Sequence, residues 1–375
     1  MMYKFEQIAY NLTAKRLPTK ADMETYIGLE HLESGSLDVR EFGSKAEIKG
    51  EKLIMTKGDV LLGKRNAYLR RAAIAPHDGL FSAHGMILRP KEDVINKDYF
   101  PFFIASDIFF DEAVRISVGG LSPTINWKDL KVVEFDLPSL EEQKVLADKL
   151  WAAYKLKESY RQLLTTTDEM VKAKFQKMFG EATWEEKKIS DIIASNFSGE
   201  WGEDDTDGTG TKVIKTNNFN NDGSIDFEEI ITRNIPSERV ERKRLQRGDI
   251  LLERSGGTKD NPVGRVVYFD NDGIYVTNNF VQTLRCDSSV NSKYIFYNLY
   301  FYYNMNKVEI RRLGHQTSGI QNLDFHRFMD KTIAVPPIEE QERFAAIATQ
   351  AEATKASLRQ SIESIDRVIR SLINQ

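Results

Sequence analysis

The chain is 375 residues long, enough for two ordinary domains, and its 41% hydrophobic and 29% charged residues are the balance of a soluble globular protein. A single cysteine, Cys286, excludes an internal disulfide and a cysteine-rich zinc cage, and no apolar run approaches the roughly 18 residues of a membrane span. The net charge of −4 speaks mildly against a nucleic-acid binder, but the average hides two basic stretches: Lys57–Lys91 carries seven Lys or Arg against two Asp, and Arg233–Arg265 nine against five Asp or Glu. Acid gathers elsewhere, with five carboxylates in Gly199–Gly208. The opening MMYKFEQIAYNLTAKR lacks the apolar core of a signal peptide, so a reducing, cytoplasmic setting is expected.

In chain order, Gly58-Asp-Val-Leu-Leu62, Ala72-Ala-Ile-Ala-Pro76 and Gly85-Met-Ile-Leu-Arg89 are short apolar runs bounded by turn residues, the pattern of β-strands. A short aromatic helix is expected over Lys97–Ile108. Ser139-Leu-Glu-Glu142 directly after Pro138 is a capping box, and neither Pro nor Gly follows until Gly180, which predicts a helix of about 40 residues. Strand-like runs then return at Gly248-Asp-Ile-Leu-Leu252, Gly264–Phe269 and Ile274–Arg285, with a second aromatic helix over Ser292–Lys307. After Pro336-Pro337 neither Pro nor Gly occurs again. This last helix steps by 4, 3, 4, 3 through Leu358, Ile362, Ile365, Ile369 and Leu372, a seam for a partner helix; Leu156, Tyr160, Leu163 and Met170 make a less regular one in the first.

The chain repeats itself. Lys57-Gly-Asp-Val-Leu-Leu62 returns as Arg247-Gly-Asp-Ile-Leu-Leu252, an offset of 190; Leu88-Arg89 returns as Leu284-Arg285, an offset of 196; Phe135–Gln143 returns as Ile333–Gln341, an offset of 198. Tyr26–Leu32 pairs weakly with Val213–Phe219, at 187. Four matches in one order, with a slowly growing offset, mean a duplicated domain with small insertions, which surface loops tolerate. The expected fold class is α+β: two mixed α/β domains of common origin, 1–138 and 181–336, joined and spaced by two long, antiparallel, coiled-coil-like helices, 139–180 and 337–375.

Catalytic strings are missing. Asp260-Asn-Pro-Val263 lacks the second Pro and the aromatic ring of an adenine methyltransferase motif, and Ser255-Gly-Gly257 is not followed by a helix, as a cofactor loop would be. No phosphate-binding loop or restriction-type nuclease core is present. The histidines His31, His77, His84, His315 and His326 show no metal-ligand spacing. No catalytic residue and no metal site is expected.

The two-copy layout resembles the specificity (S, HsdS) subunit of type I restriction–modification systems. The carrying residues are Arg254-Ser-Gly-Gly-Thr258 with Pro262–Arg265, Thr317–Ile320 through Asn322 with Phe325, and Pro336–Gln341; in the first copy they are Gly119–Thr124 with Ile125, Asn126 and Leu130, and Pro138–Gln143. The resemblance covers essentially the whole chain. It implies two target recognition domains, related by a pseudo-twofold axis, that each read half of a split sequence in double-stranded DNA. It implies two methyltransferase (M) subunits that carry the S-adenosylmethionine and modify adenine N6, and motor-nuclease (R) subunits that complete a phage-defence complex. No cofactor is expected in this chain and no membrane contact. The first copy departs from the pattern, with Lys64-Arg-Asn-Ala67 where the second has Arg254-Ser-Gly-Gly257. A methyltransferase or nuclease of unfamiliar type, or a helical protein-interaction scaffold, remain alternatives.

Arg forks match guanine O6 and N7, Asn and Gln match adenine, and either basic side chain can hold phosphate. The candidate DNA contacts are His31, Lys64, Arg65, Arg70, Arg71 and His84 in the first copy. In the second they are Lys215, Asn217, Asn218, Arg254, Ser255, Lys259, Arg265, Asn278, Asn279, His315, Gln316, Gln321 and Asn322. The two sets differ in identity, so the expected target is asymmetric.

Overall fold

The computed structural model describes residues 1–180, 184–258, 260–317 and 320–374. The chain divides into two compact units, Met1–Leu163 with Ser357–Gln375, and Leu164–Ala356. Both are α+β. None of the described helices is long and apolar enough to cross a membrane.

In the first unit, four antiparallel strands lie in the order Ala9–Leu12, Met86–Pro90, Val60–Leu62, Ala72–Ile74. A smaller sheet is built from Lys15–Arg16, Lys52–Met55 and Gly79–Phe81. The helix expected over 97–108 is two, Phe100–Ala105 and Asp107–Arg115, split where Ser106 caps the second by accepting from the Phe109 N–H. Their Phe100, Phe103 and Phe109 pack with Phe5, Leu62, Leu88 and Phe135 into the core.

The second unit repeats the plan: Ile193–Ser198, Val281–Cys286, Ile250–Glu253, Val266–Tyr268, all antiparallel. The register is duplicated as well, since Val60 lies opposite Leu88 and Ile74 while Ile250 lies opposite Leu284 and Tyr268. The run 274–285 is not one strand. Tyr275–Thr277 pairs in parallel with Thr211–Ile214, the turn at Asn278 closes as Val281 N–H donates to its carbonyl, and Val281–Cys286 enters the other sheet. Even the weakest sequence match has a structural counterpart: Ile27 bridges Phe81 in parallel, as Ile214 bridges Thr277.

The recurring strings have physical causes. Gly58 and Gly248 sit at φ of 92° and 97°, where a Cβ is penalised. The next residues, Asp59 and Asp249, are buried and accept from the Arg89 and Arg285 guanidinium groups at 2.8 Å. The GD and LR strings therefore recur together because they form one ion pair. The Gln that ends each of the strings Pro138–Gln143 and Pro336–Gln341 is 1% exposed. Gln143 accepts from Asn96 N and donates to the Pro138 carbonyl; Gln341 accepts from Asn291 N and donates to the Pro336 carbonyl. Each ties the start of a long helix to the loop before an aromatic helix.

The long helices are Leu140–Phe179 and Ile338–Ile373. The first opens on the expected capping box, with Ser139 N donating to Glu142 Oε2 at 2.9 Å and Glu142 N to Ser139 Oγ at 3.3 Å. In the first unit, Lys157 Nζ meets Asp366 at 2.5 Å, and Leu150 and Tyr154 share a core with Ile369 and Ile373. In the second, Lys355 Nζ meets Asp168 at 2.6 Å, and Phe175 and Phe179 pack on Phe344. The pairing within each unit is antiparallel. The seam on the first helix is not the one its Leu, Tyr and Met spacing suggests. Leu156, Leu163 and Met170 are 45–49% exposed, and the buried face runs through Ala147, Leu150, Tyr154, Lys157, Val171 and Phe179. Apolar spacing cannot reveal a lysine used as a seam residue, because its aliphatic stem packs while its charge is paired.

Candidate nucleic-acid interface

Strand register places the candidate residues of the first unit at one end of its main sheet. Leu62 lies opposite both Ala72 and Met86, so the loops 63–71 and 82–85 leave from the same edge. Arg65 bridges Thr124 there, and its Nε donates to Ser122 Oγ at 3.0 Å. Arg71 Nη1 donates to the Leu29 carbonyl, which brings the Leu29–His31 turn to the same end. His31 Nδ1 is occupied there, accepting from Gly28 N at 2.9 Å. Arg65 and His84 are exposed, and Lys64 and Arg71 half-buried. Burial first, and then the charge of Lys15, push the Lys64 ammonium below its usual range. Arg70 turns away to Asp107 and Asp111 on the neighbouring helix. Asn66 and Arg70, at φ of 55° and 46°, hold this loop in left-handed conformations that non-glycine residues rarely adopt.

In the second unit the equivalent edge carries a three-stranded sheet of Ser255–Gly256, Ile320–Leu323 and Gly314–Thr317. Ser255 and His315 both lie opposite Asn322, and Gln316 opposite Gln321. Ser255 Oγ donates to Asn322 Oδ1 at 2.6 Å, and Gln321 Oε1 accepts from Val263 N. Arg254 is exposed; it lies over the Phe325 ring, with one long bond of 3.4 Å to Gln282 Oε1. The Thr216–Asn218 turn is drawn in by Arg265 Nη2, which donates to the Thr216 carbonyl. Within the turn, Asn217 stands beside the buried Asn218, whose Oδ1 accepts from Lys215 N. Asn278 is buried too, and Asn279 is exposed. Lys259 lies outside the described residues, and Gln316 is placed by its backbone alone.

Four of the nine cations in the basic stretch 233–265 pair with carboxylates from elsewhere. Arg233 meets Asp204, Arg239 and Lys243 meet Glu200, and Arg247 meets Asp270 and Asp272. Arg265 is committed to Glu253, at 2.7 Å from Nε, and to the Thr216 and Phe219 carbonyls. Sequence reading named Ser122, Thr124 and Phe325 only within the strings that carry the resemblance, and not as the residues that hold Arg65 and lie under Arg254. Only the tertiary fold brings them to these loops. Sequence reading missed Lys15, although the Lys15-Arg16 pair was a visible signal.

Each unit thus presents cationic and amide side chains on loops that leave one end of its main sheet. Residues 13–165 and 181–367 match the type I restriction modification DNA specificity domain. The chain belongs to that family. The fold is similar to that of a type I restriction–modification system S subunit from M. genitalium, at a TM-score of 0.62 and 11% identity over 100% of this chain and 94% of the other. It is also similar to a chain from work on complex assembly and conformational transition of the type I R-M system, at a TM-score of 0.53 and 16% identity over 100% and 96%. At such identities the likeness is one of fold. No relative was found among the curated proteins.

Proposed function

We propose that this chain is the non-catalytic subunit that gives a type I restriction–modification complex its DNA sequence specificity, each unit reading one half of a bipartite, asymmetric target. The observation that carries the reading is one hydrogen-bonded frame presenting different side chains. Gly28 N donates to His31 in one unit and Lys215 N to Asn218 in the other. Lys64 and Arg65 stand, at the offset of 190, where the second unit has Arg254 and Ser255. A conserved frame with altered contact residues is what two readers of different half-sites need. Lys64, Arg65, Arg254, Asn279 and His315 are the proposed contacts. Methyl transfer to adenine N6 falls to partner methyltransferase subunits, which hold the S-adenosylmethionine, and cleavage to motor-nuclease subunits.

The test is selection of duplexes by the full chain from a randomised pool at moderate salt, followed by sequencing. Two short specified blocks with an unspecified spacer are expected. One block, or no enrichment, would sink the reading. The isolated chain should also neither bind S-adenosylmethionine nor methylate DNA, and methyl transfer by the chain alone contradicts a non-catalytic role.

A further inference from the structure

The two units differ at one charge pair inside an otherwise matched frame. Gly63 N donates to the Arg71 carbonyl at 2.9 Å, and Glu253 N to the Arg265 carbonyl at 2.8 Å, so Gly63 corresponds to Glu253 and Arg71 to Arg265. Both arginines spend one guanidinium nitrogen on the same neighbouring turn: Arg71 Nη1 on Leu29 O, and Arg265 Nη2 on Thr216 O. There the likeness ends. Arg265 gives Nε to a carboxylate that is 2% exposed, while Arg71 Nε is buried and has no hydrogen-bond partner. Among the described residues no carboxylate pairs with Arg71. Gly63 cannot supply one, and a Cβ built there would stand 3.7 Å from Arg71 Nε. A buried donor without an acceptor is costly, and a cation without a counter-charge more so. Nε is closed to solvent, so an acceptor that arrives from outside meets the guanidinium at Nη2, which makes no hydrogen bond among the described residues, and supplies the missing counter-charge. The surroundings add positive charge, with Lys64 next in the chain and Lys15 close enough to act on it.

We propose that Arg71 is a DNA-contacting arginine of the first unit, its fork left open by Gly63, and that Glu253 withdraws Arg265 from the equivalent role in the second. The ligand chemistry is an anionic or carbonyl oxygen acceptor, from a phosphate or from a guanine edge. The inference rests on the DNA-reading function proposed above. It also assigns the duplicated position two jobs, contact in one copy and internal structure in the other.

The experiment compares the full chain with Gly63→Glu, Arg71→Lys and Arg265→Lys, using the randomised duplex pool and fluorescent duplexes drawn from the wild-type selection. Melting temperature is measured alongside. Gly63→Glu, which supplies the missing carboxylate, should weaken binding roughly tenfold, the loss of one good contact. If the acceptor is a phosphate, Gly63→Glu also flattens the slope of log affinity against log salt by about one, and the selected motif is kept. If it is a guanine, Gly63→Glu and Arg71→Lys both relax the motif at positions in one block only. Arg265→Lys should lower the melting temperature and leave salt slope and motif unchanged. Wild-type affinity, slope and motif in both Gly63→Glu and Arg71→Lys would overturn the proposal, as would an Arg265→Lys variant that loses as much affinity as Arg71→Lys. A wild-type chain that binds no duplex overturns the DNA-reading function itself, and this inference with it.

Discussion

At the scale of single residues, the duplicated ion pairs separate structural arginines from exposed ones. Arg89 and Arg285 hold buried aspartates, and Arg265 holds a buried glutamate. Removing one partner from such a pair leaves the other charge uncompensated, which costs about 3–5 kcal/mol. Arg265→Ala should therefore destabilise the chain by roughly that amount in urea denaturation, while Arg254→Ala, with one long bond and an exposed head, should stay within about 1 kcal/mol of wild type. Equal losses in the two variants would show that this division of labour is wrong. The sequence offered Arg254 and Arg265 on equal terms. What distinguishes them is where Glu253, Gln282 and Phe325 come to lie.

At the scale of elements, the two long helices begin in the same way because one glutamine in each closes the join. Gln341 accepts from Asn291 N at 2.9 Å and donates to the Pro336 carbonyl at 2.7 Å, and Asn291 itself caps the aromatic helix Ser292–Met305. Gln341→Ala leaves a buried N–H and a buried carbonyl unmatched, at about 1–3 kcal/mol for each. The expected outcome is a stability loss in that range, read by denaturant titration and echoed by Gln143→Ala in the other copy. A variant as stable as wild type would mean that water replaces the side chain without cost. The helix starts were legible because the capping box and the prolines are local signals. The seam was misplaced because burial of Lys157 and Lys355 depends on Asp366 and Asp168, roughly two hundred residues away in sequence.

At the scale of the whole molecule, the helices are proposed to act as a ruler between the two reading units. Adding one heptad to both lengthens each by about 10.5 Å at 1.5 Å per residue. Since DNA advances about 3.4 Å per base pair, the unspecified spacer of the target should grow by about three base pairs, with both half-site sequences kept. A heptad turns a straight helix only about 20° out of register, so pairs such as Lys157–Asp366 can re-form. An insertion of three residues instead rotates the buried face away and should impair folding or binding. Duplex selection with the heptad variant reads the spacer directly, and a functional variant that keeps the original spacer rules out the ruler.

The duplication, the α+β class, three of the four strands of each main sheet and both long helices could be read from the chain alone. Each rests on a local pattern: Gly58 and Gly248 before an aspartate, short apolar runs bounded by turn residues, and helix starts followed by no Pro or Gly. The matched offsets even located Ile27 and Ile214 in corresponding bridges. The tertiary structure alone decided the charge state of the surface. Arg233–Arg265 reads as basic along the sequence, yet Asp204, Glu200, Asp270 and Asp272 fold back onto four of its nine cations. Screening and pairing depend on distance through space, which composition does not carry. For the same reason the contrast between Arg71 and Arg265 stayed hidden: a glycine and a glutamate at matched positions differ by a single letter, and only the packed fold puts that letter beside a guanidinium.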